Sequence, residues 1–208
     1  VTVSDGCGET LPEINHGEHS VVTDYKYDSA YYDREQRDFF GFRTVTTTFA
    51  DGTYTIDEYC NREYYLKGAV EKSTMYAADG EILSMHTAEY CDAPCALTAK
   101  EESWTYEKAG RNTDCIHTVA RYEYDEYGNC TRVTQDFGDS ESLTGEIIYD
   151  NSNVADYIIG LPVDIYVYGT DGELLRHRSG SYDGKGQFTE LRQYFDSYNW
   201  SSNFLSYD

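Results

Sequence analysis

Cys91, Cys95, Cys115 and His117 are the residues of this chain whose types could together hold a metal, since thiolate and imidazole are the ligands of tetrahedral zinc. Their spacing, Cys-x3-Cys followed by Cys-x-His, lacks the paired short knuckles of a strong zinc motif, so no metal ligand is assigned. The other chemistry open to them is oxidation. Six cysteines (Cys7, Cys60, Cys91, Cys95, Cys115 and Cys130) are compatible with disulfides in an oxidising compartment. Cys91 and Cys95 flank Asp-Ala-Pro and suit a local bridge; the pairing itself is not legible, and free thiols remain the alternative.

Acid–base or nucleophilic catalysis finds no comparable foothold. His16, His19, His86, His117 and His177 show no nucleophile–base spacing, and the chain has no Gly-x-Ser-x-Gly elbow, His-Glu-x-x-His pair or phosphate loop. Glycoside cleavage needs two carboxylates at a set separation, and with 38 acidic residues a pair can always be imagined, so the signal is empty. Trp104, Trp200 and the many tyrosines could stack on sugars, but cross-strand stacking within the sheet is the stronger reading of them. Asn129-Cys-Thr131 and Asn199-Trp-Ser201 fit the N-glycosylation pattern, which matters only in a eukaryotic secretory pathway. No catalytic, cofactor-binding or metal residue is assigned, no cofactor is expected, and the chain is read as a non-enzyme.

What must position these residues is a β framework. The 208 residues include 22 Tyr, 8 Phe, 17 Gly and only 3 Pro, and apolar runs at helical spacing are missing. Tyrosine suits a pleated, half-buried surface where the ring packs and the hydroxyl stays wet. A formal charge of −22 repels nucleic acid and anionic membranes, and its ordinary role is to keep a sticky β protein dissolved; a calcium- or polycation-binding face is the sharper alternative. No apolar run approaches a membrane span, and Val1–Ser4 is no signal peptide.

Turn signals recur along the chain. Asp-Gly stands at 5–6, 51–52, 79–80, 171–172 and 183–184, and Asp125-Glu-Tyr-Gly128 suits a type I turn with a left-handed glycine. Between them, 43–49, 121–124 and 164–168 read as strands. At a constant offset of 92, Gly68–Tyr90 repeats as Gly160–Tyr182, with identities on the turn and its flanks. Tyr-Asp pairs at 27–28, 32–33, 124–125, 149–150, 182–183 and 207–208 set a second beat, the last four spaced by 25, 33 and 25 residues. Each is expected at a hairpin corner, the Tyr ending a strand and stacking on the next hairpin's Tyr, the Asp bonding its own turn. Residues 91–118 are expected to be an irregular excursion within a single 1–208 domain, and both ends read as cut from something longer.

Arg121-Tyr-Glu-Tyr-Asp125-Glu-Tyr-Gly128-Asn129 resembles the core of the RHS/YD repeat. Asp33-Arg-Glu-Gln-Arg-Asp-Phe-Phe-Gly41-Phe-Arg43 before a Val/Thr strand, Leu66-Lys67-Gly68 and Ile159-Gly160-Leu161-Pro162 resemble landmarks of toxin-complex and Salmonella virulence plasmid type proteins of that family. The resemblance covers about residues 20–208. It implies successive antiparallel hairpins forming a strongly curved spiral sheet: a shell segment enclosing a toxic polypeptide in a secreted or surface-attached toxin, partnered by the rest of that shell and its cargo. Related repeats in adhesive proteins supply the other reading, an extracellular adhesin or glycan-binding module with a cell-surface glycan or receptor as partner. The self-cleaving aspartyl site and effector domain of the toxins are not in this sequence, and neither the six cysteines nor the acidity follows from the resemblance.

Overall fold

The computed structural model describes residues 1–4, 20–92, 95–106, 115–196 and 198–207. The described chain is all-β. β1 (Thr2–Ser4) and β2 (Ser20–Val22) form a two-stranded sheet. Thirteen further strands follow in chain order: β3 (Asp24–Asp33), β4 (Asp38–Thr48), β5 (Tyr54–Cys60), β6 (Ala69–Tyr76), β7 (Ile82–Tyr90), β8 (Thr98–Tyr106), β9 (Cys115–Tyr124), β10 (Cys130–Gly138), β11 (Glu141–Asp150), β12 (Leu161–Tyr168), β13 (Leu174–Tyr182), β14 (Phe188–Tyr194) and β15 (Trp200–Phe204). They follow one another in that order in one sheet, without a crossover. Two 3₁₀ turns, Tyr64–Leu66 and Val154–Asp156, interrupt the described residues.

Hairpins follow from the turn chemistry. At 49–53, 77–81, 125–129, 169–173 and 183–187 the same five-residue loop recurs: the first residue donates its N–H to the carbonyl of the fifth, and the fourth, always glycine, donates its N–H to the first carbonyl. The fourth position has positive φ, from +76° at Gly186 to +90° at Gly80, so a side chain there would be strained. In the turn foreseen at Asp183-Gly184, the left-handed residue is therefore Gly186, with Asp183 in first place. The turn foreseen at Asp5-Gly6 lies outside the described residues.

Contacts cluster into two units, residues 1–96 with 103–116, and 97–102 with 117–208. In each, apolar burial is sparse: Phe40 and Ala88 in the first and Val119 in the second are the buried hydrophobic side chains among the described residues. The stretch 91–118, expected to be an irregular excursion, instead supplies all of β8 and the start of β9. Its Thr98-Ala-Lys-Glu-Glu-Ser-Trp-Thr-Tyr106 run is polar and carries little β-branched signal, yet neighbouring strands satisfy its backbone. No helix of the described chain is long and apolar enough to cross a membrane.

Candidate functional site

The repeating feature of this sheet is its corners. Tyr90 Oη donates to the carbonyl of Val70 at 2.7 Å, and in the second unit Tyr124 donates to Thr98 at 2.8 Å, Tyr149 to Cys130 at 2.9 Å, Tyr182 to Pro162 at 3.1 Å and Tyr207 to Phe188 at 2.9 Å. Every donor stands within three residues of the end of an odd-numbered strand. Every acceptor is the first or second residue of the preceding strand. Each hairpin from β6–β7 to β14–β15 is thus clasped at its open end by a phenol lying across its partner. Burial raises the pKa of Tyr149 and Tyr182, as it should for phenols tucked against the sheet.

The acid after each tyrosine folds the next turn. Asp125 Oδ1 accepts the N–H of Tyr127 and of Asn129, Asp150 Oδ1 that of Ser152, and Asp183 Oδ1 those of Lys185 and Gln187. Asp33 does the same for Glu35 and Gln36. The expected role of the aspartates therefore holds. The tyrosines do something the sequence did not suggest: Tyr124, Tyr149, Tyr182 and Tyr207 each donate their hydroxyl to a main-chain carbonyl of their own hairpin, and Tyr182 also meets Phe188 of the next hairpin edge-on at 5.2 Å. Tyr27-Asp28 is no corner at all; it sits inside β3, where Asp28 caps the N–H of Ser29 at a positive-φ irregularity. Asp208 lies outside the described residues.

Parallel stacking is carried by other rings. Tyr166, His177 and Tyr194 are direct cross-strand partners on β12, β13 and β14, with centroids 4.3 and 4.1 Å apart and planes within 13° and 8°. Trp200, opposite Tyr194 on β15, extends the row at 6.1 Å. Asp164 Oδ1 holds His177 Nε2 at 2.7 Å, which fixes the imidazole in the stack. In the first unit Tyr54 stacks on its partner Tyr76 at 4.8 Å.

Two loops at the clasped ends gather the sequence landmarks. In the first unit β4 bulges at Phe40, which is 3 % exposed, and Gly41 takes φ +97° to return the strand to register. Lys67 closes over Phe40, 5.3 Å from its ring, and pairs with Asp38, raising the lysine pKa and lowering the aspartate's. Asn61, 2 % exposed, donates to the carbonyls of Ser29 and Gly41, both at 3.3 Å. Arg43 reaches the Tyr59 carbonyl at 2.6 Å and the Glu71 carboxylate, which raises its pKa. The Phe-Phe-Gly-Phe-Arg and Lys-Gly landmarks are therefore two sides of one knot.

The second unit repeats the device. Asn151 follows Tyr149-Asp150 as Asn61 follows Tyr59-Cys60, and each opens a loop with one 3₁₀ turn closed by a positive-φ glycine, Gly68 or Gly160. Asn151 Oδ1 accepts the Gly160 N–H at 2.9 Å, while its amide donates to Asp125 Oδ2 at 3.3 Å beside that of Asn129 at 2.9 Å. Burial works to raise the Asp125 pKa. The bonds from Asn129, Tyr127 and Asn151 outweigh it and hold the carboxyl below its ordinary value.

The residues that could do chemistry are not brought together. Cys60, Cys91, Cys95, Cys115 and Cys130 are free thiols, and among the described residues no three His, Cys, Asp or Glu converge as a metal site. The expected Cys91–Cys95 bridge is not formed. Cys60 and Cys91 line one depression, but β6 runs between their strands, and two strand spacings, about 9.6 Å, exceed the reach of a disulfide. His117 bonds Glu102 at 2.8 Å, His86 bonds Ser103 at 3.1 Å, and Cys7, His16 and His19 lie outside the described residues. Asn129, the first glycosylation candidate, has its amide committed to Asp125. The clasps were missed in the sequence because a hydroxyl-to-carbonyl bond leaves no residue signature on the acceptor.

Residues 2–73 match the family described as the insecticide toxin TcdB middle/N-terminal region. The fold resembles the TcdB2–TccC3 complex, with a TM-score of 0.59 at 10 % identity, and that complex without its hypervariable C-terminal region, at 0.60 and 11 %. It also resembles a Photorhabdus luminescens Tc holotoxin pore, at 0.61 and 11 %. In all three the likeness covers 84 % of this chain and 15 % of the other, so the chain spans a small part of those proteins' length. No curated protein matches. The resemblance to toxin-complex RHS proteins is thus supported twice, by the family match over the first landmarks and by the fold over most of the chain.

Proposed function

We propose that this chain is a wall segment of a toxin-complex shell of the RHS type, and that the wall encloses a polypeptide in a secreted assembly. The clasped corner carries the reading. A wall must be extended, self-supporting and built without a deep core, and a hairpin whose open end is fastened by Tyr Oη to its own backbone meets that need one hairpin at a time. The cross-strand stacks stiffen successive strands in the same way. The role is structural, with no reaction assigned, and the partners are the remainder of the shell and its contents. A glycan-binding role finds less support, because Tyr166, His177 and Tyr194 spend their ring faces on one another.

The test is protease protection in the parent protein. The expected result is that a polypeptide co-purifying with the intact shell resists digestion and becomes sensitive when Tyr149, Tyr182 and Asp125 are replaced by Phe, Phe and Ala. Equal sensitivity before and after the substitutions contradicts enclosure.

A further inference from the structure

The margin of the second unit opposite the clasps exposes large apolar side chains among charged ones. At the β14–β15 turn Phe195 is 69 % exposed and Tyr198 85 %, and after the β12–β13 turn Leu174 and Leu175 are each more than half exposed. Leu174 and Leu175 are consecutive on one strand and point to opposite faces, so neither face is covered at this tip. The tips form one surface. The Ser142 N–H donates to Thr170 Oγ1 at 2.9 Å, joining the β10–β11 and β12–β13 turns, and a groove between β13 and β14 is lined by Leu174, Leu175, Tyr194 and Phe195. The same turns carry Asp139, Glu141, Asp171, Glu173 and Asp196, with Arg176 as the cation in the groove. Asp196 accepts the N–H groups of Tyr198 and Asn199 on Oδ1 and the Asn199 amide on Oδ2, bonds that hold its pKa below the ordinary value while it stays exposed at the tip.

We propose that this margin docks a polypeptide segment carrying positive charge beside apolar side chains, laid along the hairpin tips with its apolar residues in the groove. An acidic segment would be repelled by the turn carboxylates. A cationic segment without apolar residues would leave Leu175 and Phe195 wet, and exposed apolar surface of this kind rimmed by charge is the mark of an interaction surface. The inference goes beyond the wall reading and does not depend on enclosure.

The test uses the whole chain and three labelled synthetic peptides of equal length, built from Lys and Leu, Lys and Ser, or Glu and Leu, followed by fluorescence polarisation. The Lys–Leu peptide is expected to bind at least about tenfold more tightly than either other peptide. Replacing Leu175 and Phe195 by Ser is expected to weaken it about tenfold, while Tyr157→Ser, on the clasped margin, leaves it unchanged. Leu175 and Phe195 are exposed, so the fold survives their loss, which circular dichroism checks. Equal binding of the Lys–Leu and Lys–Ser peptides, no effect of the double substitution, or no binding at all overturns the proposal.

Discussion

Single polar atoms decide much at the residue scale, because little apolar surface is buried to compensate for them. Removing the Tyr149 hydroxyl as Tyr149→Phe keeps the ring and deletes the bond to the Cys130 carbonyl; the expected loss in urea unfolding is about 1 kcal/mol. Asn61 serves two carbonyls from a site 2 % exposed, so Asn61→Ala is expected to cost more, about 1–3 kcal/mol. Asp125 adds a pH dependence. Its carboxyl is held below the ordinary value in the fold, so its contribution is present above the unfolded pKa, about 3.9, and is lost as pH falls through the folded value. The stability gap between wild type and Asp125→Asn should therefore narrow between pH 6 and pH 3; a gap independent of pH contradicts that linkage.

Elements here are specified by their turns more than by their strands, which sets what the sequence could reveal. The glycines of the five-residue loops, the Asx-bonding aspartates and the 92-residue repeat were legible because each needs a particular residue type at a fixed place. The repeat runs further than the identities do: Tyr90 bonds Val70 and Tyr182 bonds Pro162, and both donors and acceptors keep the same offset although Val and Pro differ. β8 was not legible, since its polar run acquires strand geometry only from neighbours, nor were the Phe40 bulge and its Lys67 lid, which join residues far apart in sequence. Turn glycines are not equal in consequence. A Cβ at Gly160 would stand 2.5 Å from Asn129 Oδ1, whereas one at Gly172 meets nothing within 4 Å, although both have positive φ. Gly172→Ala should cost about 1 kcal/mol of backbone strain alone, and Gly160→Ala distinctly more, in paired denaturation curves.

Among the described residues, each hairpin from β6–β7 to β14–β15 carries its own clasp, and stacked rings tie β5 to β6 and β12 through β14. Cross-linking by sulfur is no part of this: all the described cysteines are free, so a reducing agent is expected to leave the thermal midpoint unchanged. A drop of several degrees on reduction contradicts the free-thiol description. The two compact units need not unfold together, and stability is best measured on probes within one of them.

The most direct measurement is a comparison inside the second unit of two Tyr→Phe sets. One replaces the clasping Tyr124, Tyr149, Tyr182 and Tyr207; the other replaces the exposed Tyr127, Tyr157 and Tyr198. Every ring is kept, so only hydroxyl bonds differ. If the corners hold the wall, the first set loses about 4 kcal/mol in guanidinium unfolding and the second almost nothing. Equal stability of the two sets would contradict the account at its base.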